Sequence, residues 1–406
     1  MMSGKLHKNI GPKAMNIFWE WDQIAPYPMT VRIRLDHEID GEELRGAFEE
    51  SLSVWPFLKD SFLPQEDGNI YFVENDHPIQ IHHTGDIIAA GKGPNDNRVI
   101  ALSYDRDVLS FTGLHSFLDG GSLFMVMKGT LCRYLARHFD GIREVKLLPG
   151  PGDGDAPENY EFYIFRKDTA SMPYEYKEPY LSLENCFVDA RTKKQEGTPL
   201  VLSRVEVESD EFIAYCKKNG ANPSVMLVIL MAQAVYRNNP EEQRPFAGLI
   251  TMNIRHALGI DMAIMGQSSA MIIDVTRDEL ENGPLPDLIR DKRACMDAQR
   301  SRDYLLSRAD DMRHAKPFMR EQYTFRLSYF GEFDYGEYSS HVKDILTYNE
   351  AYDEVHMFSI NGRLFIDLQL GSITEEYVNA VVSILREAGV NAKAADDLLP
   401  IRPVTR

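Results

Sequence analysis

The residues most able to do chemistry stand together at Leu114-His115-Ser116-Phe117-Leu118-Asp119-Gly120-Gly121-Ser122. A histidine with an ordinary pKa near 6.5 can take a proton from an alcohol, amine or thiol at neutral pH. An aspartate four residues on can fix local geometry, and the two glycines permit a tight turn with close backbone approach. A surface histidine followed by an N-cap aspartate would give the same letters. Placement separates the two readings. Val108 to His115 reads as a strand, and Gly120 to His138 carries Leu123, Val126, Met127, Leu131 and Leu135 on one helical face. The histidine therefore falls where a strand ends and a helix begins, which favours the catalytic reading.

The elements that must hold this segment come in two similar sets. Thr30 to Asp36 alternates apolar and polar residues as a half-buried strand does, and Asp40, Glu43, Leu44, Phe48 and Leu52 spell a capping box leading an amphipathic helix. Short strand-like runs follow at 69–74, 78–83 and 98–104. From Leu148 to about Pro199 the pattern breaks into turn-rich sequence, which reads as a crossover. The second set has strands at 200–207, 246–255, 269–275, 323–330 and 363–370, and helices at 209–218, 223–237, around 286–314 and 374–388. Pro223 suits a first helical position, where its missing N–H costs nothing. The expected organisation is an N-terminal half at 1–150, a crossover at 151–199 and a C-terminal half at 200–406. Strands arriving in groups between helices imply an α+β fold of two-layer α/β sandwiches with mixed sheets rather than a doubly wound parallel sheet.

Composition narrows the function. The chain has 406 residues, is 44% hydrophobic, and carries 62 acidic against 44 basic residues for a formal charge of −18. That field repels phosphate backbones and anionic membrane surfaces, so nucleic-acid binding is not expected. Cys132, Cys186, Cys216 and Cys295 are too far apart for zinc-type pairs or a secreted disulfide framework, which fits a reducing, cytoplasmic compartment. The N-terminus lacks the apolar stretch of a signal peptide, and the longest apolar run, Val225 to Ala232, is too short to span a bilayer. A soluble protein without integral membrane association is expected.

The segment HSFLDGGS resembles the H-x-x-x-D-G signature of the CoA-dependent acyltransferase superfamily, which includes chloramphenicol acetyltransferase, plant-type hydroxycinnamoyl acyltransferases, alcohol acetyltransferases and nonribosomal condensation domains. Thr251-Met252-Asn253-Ile254-Arg255 resembles the strand whose arginine pairs with the motif aspartate in these families. Gly266-Gln267-Ser268-Ser269 stands where some members have Gly-Asn, and Ser328-Tyr329-Phe330-Gly331 resembles the Ser-x-x-Gly segment of alcohol acetyltransferases. Two departures place the chain within the group. Leu114 stands where condensation domains and wax-ester synthases usually have a second histidine, and the Asp-Phe-Gly-Trp-Gly motif of the plant enzymes has only a loose echo at Phe330 to Gly336. The resemblance is nearest to alcohol acetyltransferase-like and stand-alone condensation-domain-like proteins. It implies two similar chloramphenicol acetyltransferase-like halves with an active-site tunnel between them.

The resulting expectation is an acyltransferase that moves an acyl group from an acyl-CoA thioester to a hydroxyl or amine, using the motif residues His115, Asp119 and Gly120. His115 would be the general base, with direct attack by the acceptor and no covalent enzyme intermediate. Asp119 and Arg255 would form a structural pair. Ser328, a hydroxyl at a strand end, is the candidate oxyanion donor, against a serine bonded to nearby backbone. No permanently bound cofactor and no metal are expected; a coenzyme A thioester is the co-substrate. Arg191, Lys193 and Lys194 are the densest basic cluster in the crossover and could meet the CoA diphosphate, although a solvated loop would look the same. Two alternatives stay open: a condensation-type protein acting on thioesters tethered to an acyl carrier protein, and a binding protein that keeps the fold without turnover. His77, His82 and His83 read as structural or surface residues. Gly150 to Asp155 reads as a plain linker, and Met125, Met127, Trp19, Trp21 and Trp55 as core or tunnel wall.

Overall fold

The computed structural model of the chain describes residues 6–9, 28–64, 70–91, 93–115, 117–139, 148–160, 185–192, 201–266, 268–313, 323–349, 353–400 and 404–405. In chain order the strands are β1 (Leu6–Asn9), β2 (Pro28–Leu35), β3 (Ser61–Pro64), β4 (Ile70–Val73), β5 (His82–His83), β6 (Ile87–Ile88), β7 (Ile100–Asp105), β8 (Val108–Leu114), β9 (Ser203–Glu208), β10 (Phe246–Asn253), β11 (Ser268–Val275), β12 (Phe325–Glu332), β13 (Val342–Tyr348), β14 (Glu354–Ile360), β15 (Arg363–Gln369), β16 (Ala392–Ala394) and β17 (Val404–Thr405). The helices are α1 (Gly41–Leu52), α2 (Gly120–His138), α3 (Ser209–Lys218), α4 (Pro223–Asn238), α5 (Arg255–Leu258), α6 (Arg277–Asn282), α7 (Leu285–Gln299), α8 (Arg302–Arg313) and α9 (Thr374–Glu387).

A five-stranded sheet of order β13-β2-β8-β7-β5 forms the first half, covered by α1 and α2. Leu44, Phe48 and Leu52 of α1 and Leu123, Val126, Met127 and Leu131 of α2 bury their apolar faces with Val31, Ile33 and Phe111 of the sheet. Asp40 caps α1, its Oδ1 accepting from the backbone N–H of Glu42 at 2.9 Å and of Glu43 at 3.0 Å. Glu43 does not close the expected capping box; its carboxylate meets His138 Nδ1 at 2.9 Å and ties α1 to the end of α2.

The second half is a seven-stranded mixed sheet of order β11-β10-β12-β14-β15-β9-β16. Pairing is parallel between β10 and β12 and between β12 and β14, and antiparallel elsewhere. Helix α4 is buried on every side from Val225 to Ala232, because it lies in the core that Phe325, Leu327, Val355 and Met357 of the sheet share with Val378, Val381 and Leu385 of α9. No helix among the described residues is long and apolar enough to cross a membrane.

Three features of the second half depart from the sequence reading. The charged segment near 286–314 is two helices, α7 and α8, broken at Ser301, whose Oγ accepts from the Tyr304 N–H at 3.3 Å. Strands β13 and β14 were not expected. Strand β13 also leaves its own half and pairs antiparallel with β2, Ile345 opposite Ile33, so the two sheets do not divide the chain at residue 200. Strand β13 thereby covers β2 and becomes the edge strand of the five-stranded sheet. Arg204 of β9, 2% exposed, locks the crossing strand in place: it reaches Asp344 of β13 at 2.6 Å while holding Asp367 of β15 at 2.5 and 2.9 Å.

Candidate active site

Between the two halves lies a cleft of about 190 Å³. The first half contributes Met29 and Val31 of β2, His115, and Gly120 and Phe124 of α2; the second contributes polar side chains of β10, β12 and β14. Strand alternation explains the division on the second wall. Arg326 and Ser328 share the cleft face of β12, while Phe325 and Leu327 point into the core beneath α4; Glu354 and His356 of β14 alternate in the same way with Val355 and Met357.

His115 sits at the end of β8. The chain turns back there, with the N–H groups of Phe117 and Leu118 both donating to the Leu114 carbonyl at 2.9 and 3.0 Å. That turn presents the Leu118 carbonyl to His115 Nδ1 at 3.1 Å. A carbonyl can only accept, so Nδ1 carries a proton, and in the neutral ring Nε2 is the acceptor. The side chain is half-buried and lines the cleft.

Asp119 is the N-cap of α2, its Oδ1 accepting from the Ser122 N–H at 2.8 Å and the Ser122 hydroxyl at 2.9 Å. Arg255, at the start of α5, grips the same carboxylate through Nη1 to Oδ2 and Nη2 to Oδ1, both 3.0 Å. Further bonds to the carbonyls of Ala263 and Met265 fix the guanidinium. Burial would push the Asp119 carboxyl up, but the guanidinium beside it and the Ser122 bonds hold it below the ordinary range. The close approach sets a demand on the next glycine. A Cβ on Gly121 would stand 2.8 Å from Arg255 Nη1 and 2.9 Å from Asn253 Nδ2, whereas one on Gly120 would meet nothing nearer than a Phe330 ring carbon at 3.3 Å. The spatial constraint therefore falls mainly on Gly121, not on the Gly120 of the motif.

On the facing wall, the Ser328 hydroxyl lies 2.7 Å from that of Thr251. One of the two must donate to the other, which leaves a second hydroxyl proton for the cleft. Strand β12 then bulges: Tyr329 pairs with Met357 and Gly331 with Phe358, so Phe330 is the extra residue. Gly331 takes φ +77°, a left-handed conformation that a glycine adopts without strain. The bulge sets the Phe330 ring against Phe124 at 4.9 Å and His356 at 5.2 Å.

The sequence reading did not identify the charged array on this wall. Arg326 donates to Glu354 at 2.6 Å; Asn349 and His356 donate to the other carboxylate oxygen, His356 through Nε2 at 3.0 Å. His356 Nδ1 is 3.0 Å from the Thr347 hydroxyl and 3.3 Å from its carbonyl. Burial would raise the Glu354 carboxyl, but Arg326 and His356 bring it down to about 2. Burial lowers His356, yet the bond to Glu354 outweighs it and leaves the imidazole above its usual value. The one sequence signal for them is alternation: Arg326 with Ser328, and Glu354 with His356, are polar pairs two apart between apolar neighbours, a pattern that a solvent-facing strand shares.

The remaining sequence candidates lie elsewhere. Arg191 does not line the cleft; Asp189 at 2.7 Å and Glu376 at 3.3 Å occupy its guanidinium. Lys193, Lys194, Gln267, Trp19 and Trp21 lie outside the described residues. Trp55 is core, with its indole N–H on the Met262 carbonyl at 2.9 Å. No disulfide joins the four cysteines, and burial pushes the Cys186 and Cys216 thiols up to about 11 and about 12, unsuited to nucleophilic work.

No family model matches this chain, and no curated protein matches it by sequence. Solved structures do. Polyketide synthase associated protein 5 from Mycobacterium tuberculosis superposes with a TM-score of 0.66 at 14% identity, over 94% of this chain and 98% of that one. TRI101 of F. sporotrichioides, complexed with coenzyme A and T-2, superposes with a TM-score of 0.61 at 11% identity, over 91% and 96%. The first condensation domain of the calcium-dependent antibiotic synthetase, with a substrate analogue, gives 0.61 at 13% identity, over 92% and 96%. The chain is thus similar in fold to acetyltransferases and condensation domains, with its two-lobed α+β architecture.

Proposed function

From a chain with the fold of CoA-dependent acyltransferases and condensation domains, we propose an acyltransferase that transfers an acyl group from a thioester to a hydroxyl or amine, with His115 as general base. The observation that carries this reading is the 3.1 Å contact of His115 Nδ1 with the Leu118 carbonyl on a residue that lines the cleft: with Nδ1–H spent there, the neutral ring has Nε2 as its acceptor. An acceptor O–H or N–H bonded to Nε2 loses its proton as its heavy atom attacks the thioester carbonyl. The hydroxyl pair of Ser328 and Thr251 donates to the oxyanion that forms. Collapse breaks the carbon–sulfur bond, and the His115 imidazolium returns its proton to the departing thiolate. Asp119 and Arg255 take no proton in this scheme; they hold the β8–α2 turn that aims the imidazole.

Coenzyme A is the proposed carrier of the acyl group, since TRI101 is described with coenzyme A bound. Free-thiol release from a panel of acyl-CoAs with mixed alcohols and amines, lost in His115→Ala, tests the reading. A second reading draws on the condensation domains among the similar structures, one of them described with C8-CoA and Leu-SNAC. Turnover with an acylated carrier protein, together with no binding of acyl-CoA at low salt, would move the assignment there. Arg191, with its two carboxylate partners, is a weaker candidate for the CoA phosphates than the sequence suggested.

A further inference from the structure

Away from the cleft, the end of β2 and the turn before β13 bring together a second set of polar side chains. Asp36 Oδ1 lies 2.8 Å from His37 Nδ1 and 3.3 Å from His341 Nδ1. Ligand atoms of all three residues fall within 4.8 Å of one another. A tetrahedral zinc ion with bonds of about 2.0–2.2 Å spaces its ligand atoms about 3.3 Å apart, so small adjustments would let these three enclose one.

The surroundings orient both rings with Nδ1 toward the carboxylate. His37 Nε2 is 3.2 Å from the Tyr134 hydroxyl, an oxygen that also accepts from the Asp40 N–H. Without a metal, Nδ1–H donates to Asp36 and the Tyr134 hydroxyl can donate to Nε2; a metal at Nδ1 would take the place of that proton, with Nε2–H turned onto the Tyr134 oxygen as the outer bond of a metal-binding histidine. Packing holds both rings before any ion arrives: His138 stacks on His37 at 4.4 Å, and Phe139 stacks on His341 at 3.9 Å. What lies between a carboxylate and two imidazole nitrogens must be positive, so the choice is between protons on the rings and one divalent cation. Lys343 Nζ, 3.8 Å from Asp36 Oδ2, is an opposing charge, held on a half-exposed side chain by a 2.8 Å bond to the Ser340 carbonyl.

We propose that Asp36, His37 and His341 form a site for a divalent transition metal of the zinc class, with water completing the tetrahedron. Its place in the fold gives it a task. Asp36 and His37 follow β2, while His341 precedes β13, the strand that crosses from the second half; the Asp36 N–H already donates to the His341 carbonyl at 3.0 Å. An ion bound there staples the crossing strand to the sheet it completes.

The test uses the full chain, free of any histidine tag and stripped of metal. Cobalt(II) should bind one equivalent with the visible bands of tetrahedral cobalt, zinc should displace it, and zinc should raise the unfolding temperature. Asp36→Asn and His341→Gln should each weaken binding at least about 10-fold, while His138→Gln, which removes a stacked ring and its bond to Glu43 but no proposed ligand, should retain it. Circular dichroism of metal-free samples checks that the variants fold. Absence of saturable 1:1 binding in the folded parent, or undiminished binding in folded His341→Gln, would overturn the proposal and leave protons as the occupants.

Discussion

Asp119 and Arg255, 136 residues apart, meet through two parallel hydrogen bonds of 3.0 Å in a setting where both are at most 5% exposed. Removing one member of a buried pair strands the other charge, at a typical cost of about 3–5 kcal/mol. Asp119→Ala should therefore unfold at lower urea concentration as well as lose activity. Wild-type stability in this variant would mean that Arg255 is satisfied by its other partners, Ser122, Asn253 and the carbonyls of Ala263 and Met265.

The two glycines of the motif should respond differently. Gly121→Ala places a methyl group against Arg255 and Asn253, and Arg255 is too fully bonded to yield, so both stability and turnover should fall. Gly120→Ala should be mild by comparison. Thermal unfolding of the two variants side by side checks the ranking, which equal shifts would contradict.

His115→Ala should lower turnover by about 10²–10⁴-fold, the usual contribution of a general base, with its unfolding temperature unchanged. Ser328→Ala should cost roughly 10²–10³-fold if it is the oxyanion donor. Because Thr251 shares a proton with it, Thr251→Val and the double variant should combine with less than multiplicative loss. Ser328→Ala with full turnover on a working substrate would reduce this serine to a strand residue bonded to its neighbour.

The Glu354–His356 pair predicts a pH signature of stability. His356 is raised above its ordinary 6.5, so its contribution is complete below that value and is lost as pH rises through the folded-state pKa. Glu354, lowered to about 2 from 4.5, contributes above 4.5 and is lost as pH falls through about 2. Urea unfolding of wild type and His356→Gln should then differ most between about pH 5 and 6.5 and converge as pH rises. A gap that widens with rising pH would refute the assignment of His356 as an imidazolium held by Glu354.

Local chemistry made part of this protein legible from its sequence. The strand, turn and helix around His115, the cap at Asp40, and the apolar helix after Pro223 follow from periodicity and capping, which act over a few residues. The pairing partner Arg255 came from a resemblance rather than from any local signal. What only the tertiary structure decided depends on contacts between segments far apart in the chain: the pairing of β13 with β2, the bulge that turns Phe330 into the cleft, and the array of Arg326, Glu354 and His356. Polar residues on a strand look solvent-facing until a second domain covers them. Here the first half covers that face of β12 and β14, so side chains that alternate like surface residues become the buried, charged wall of a cleft.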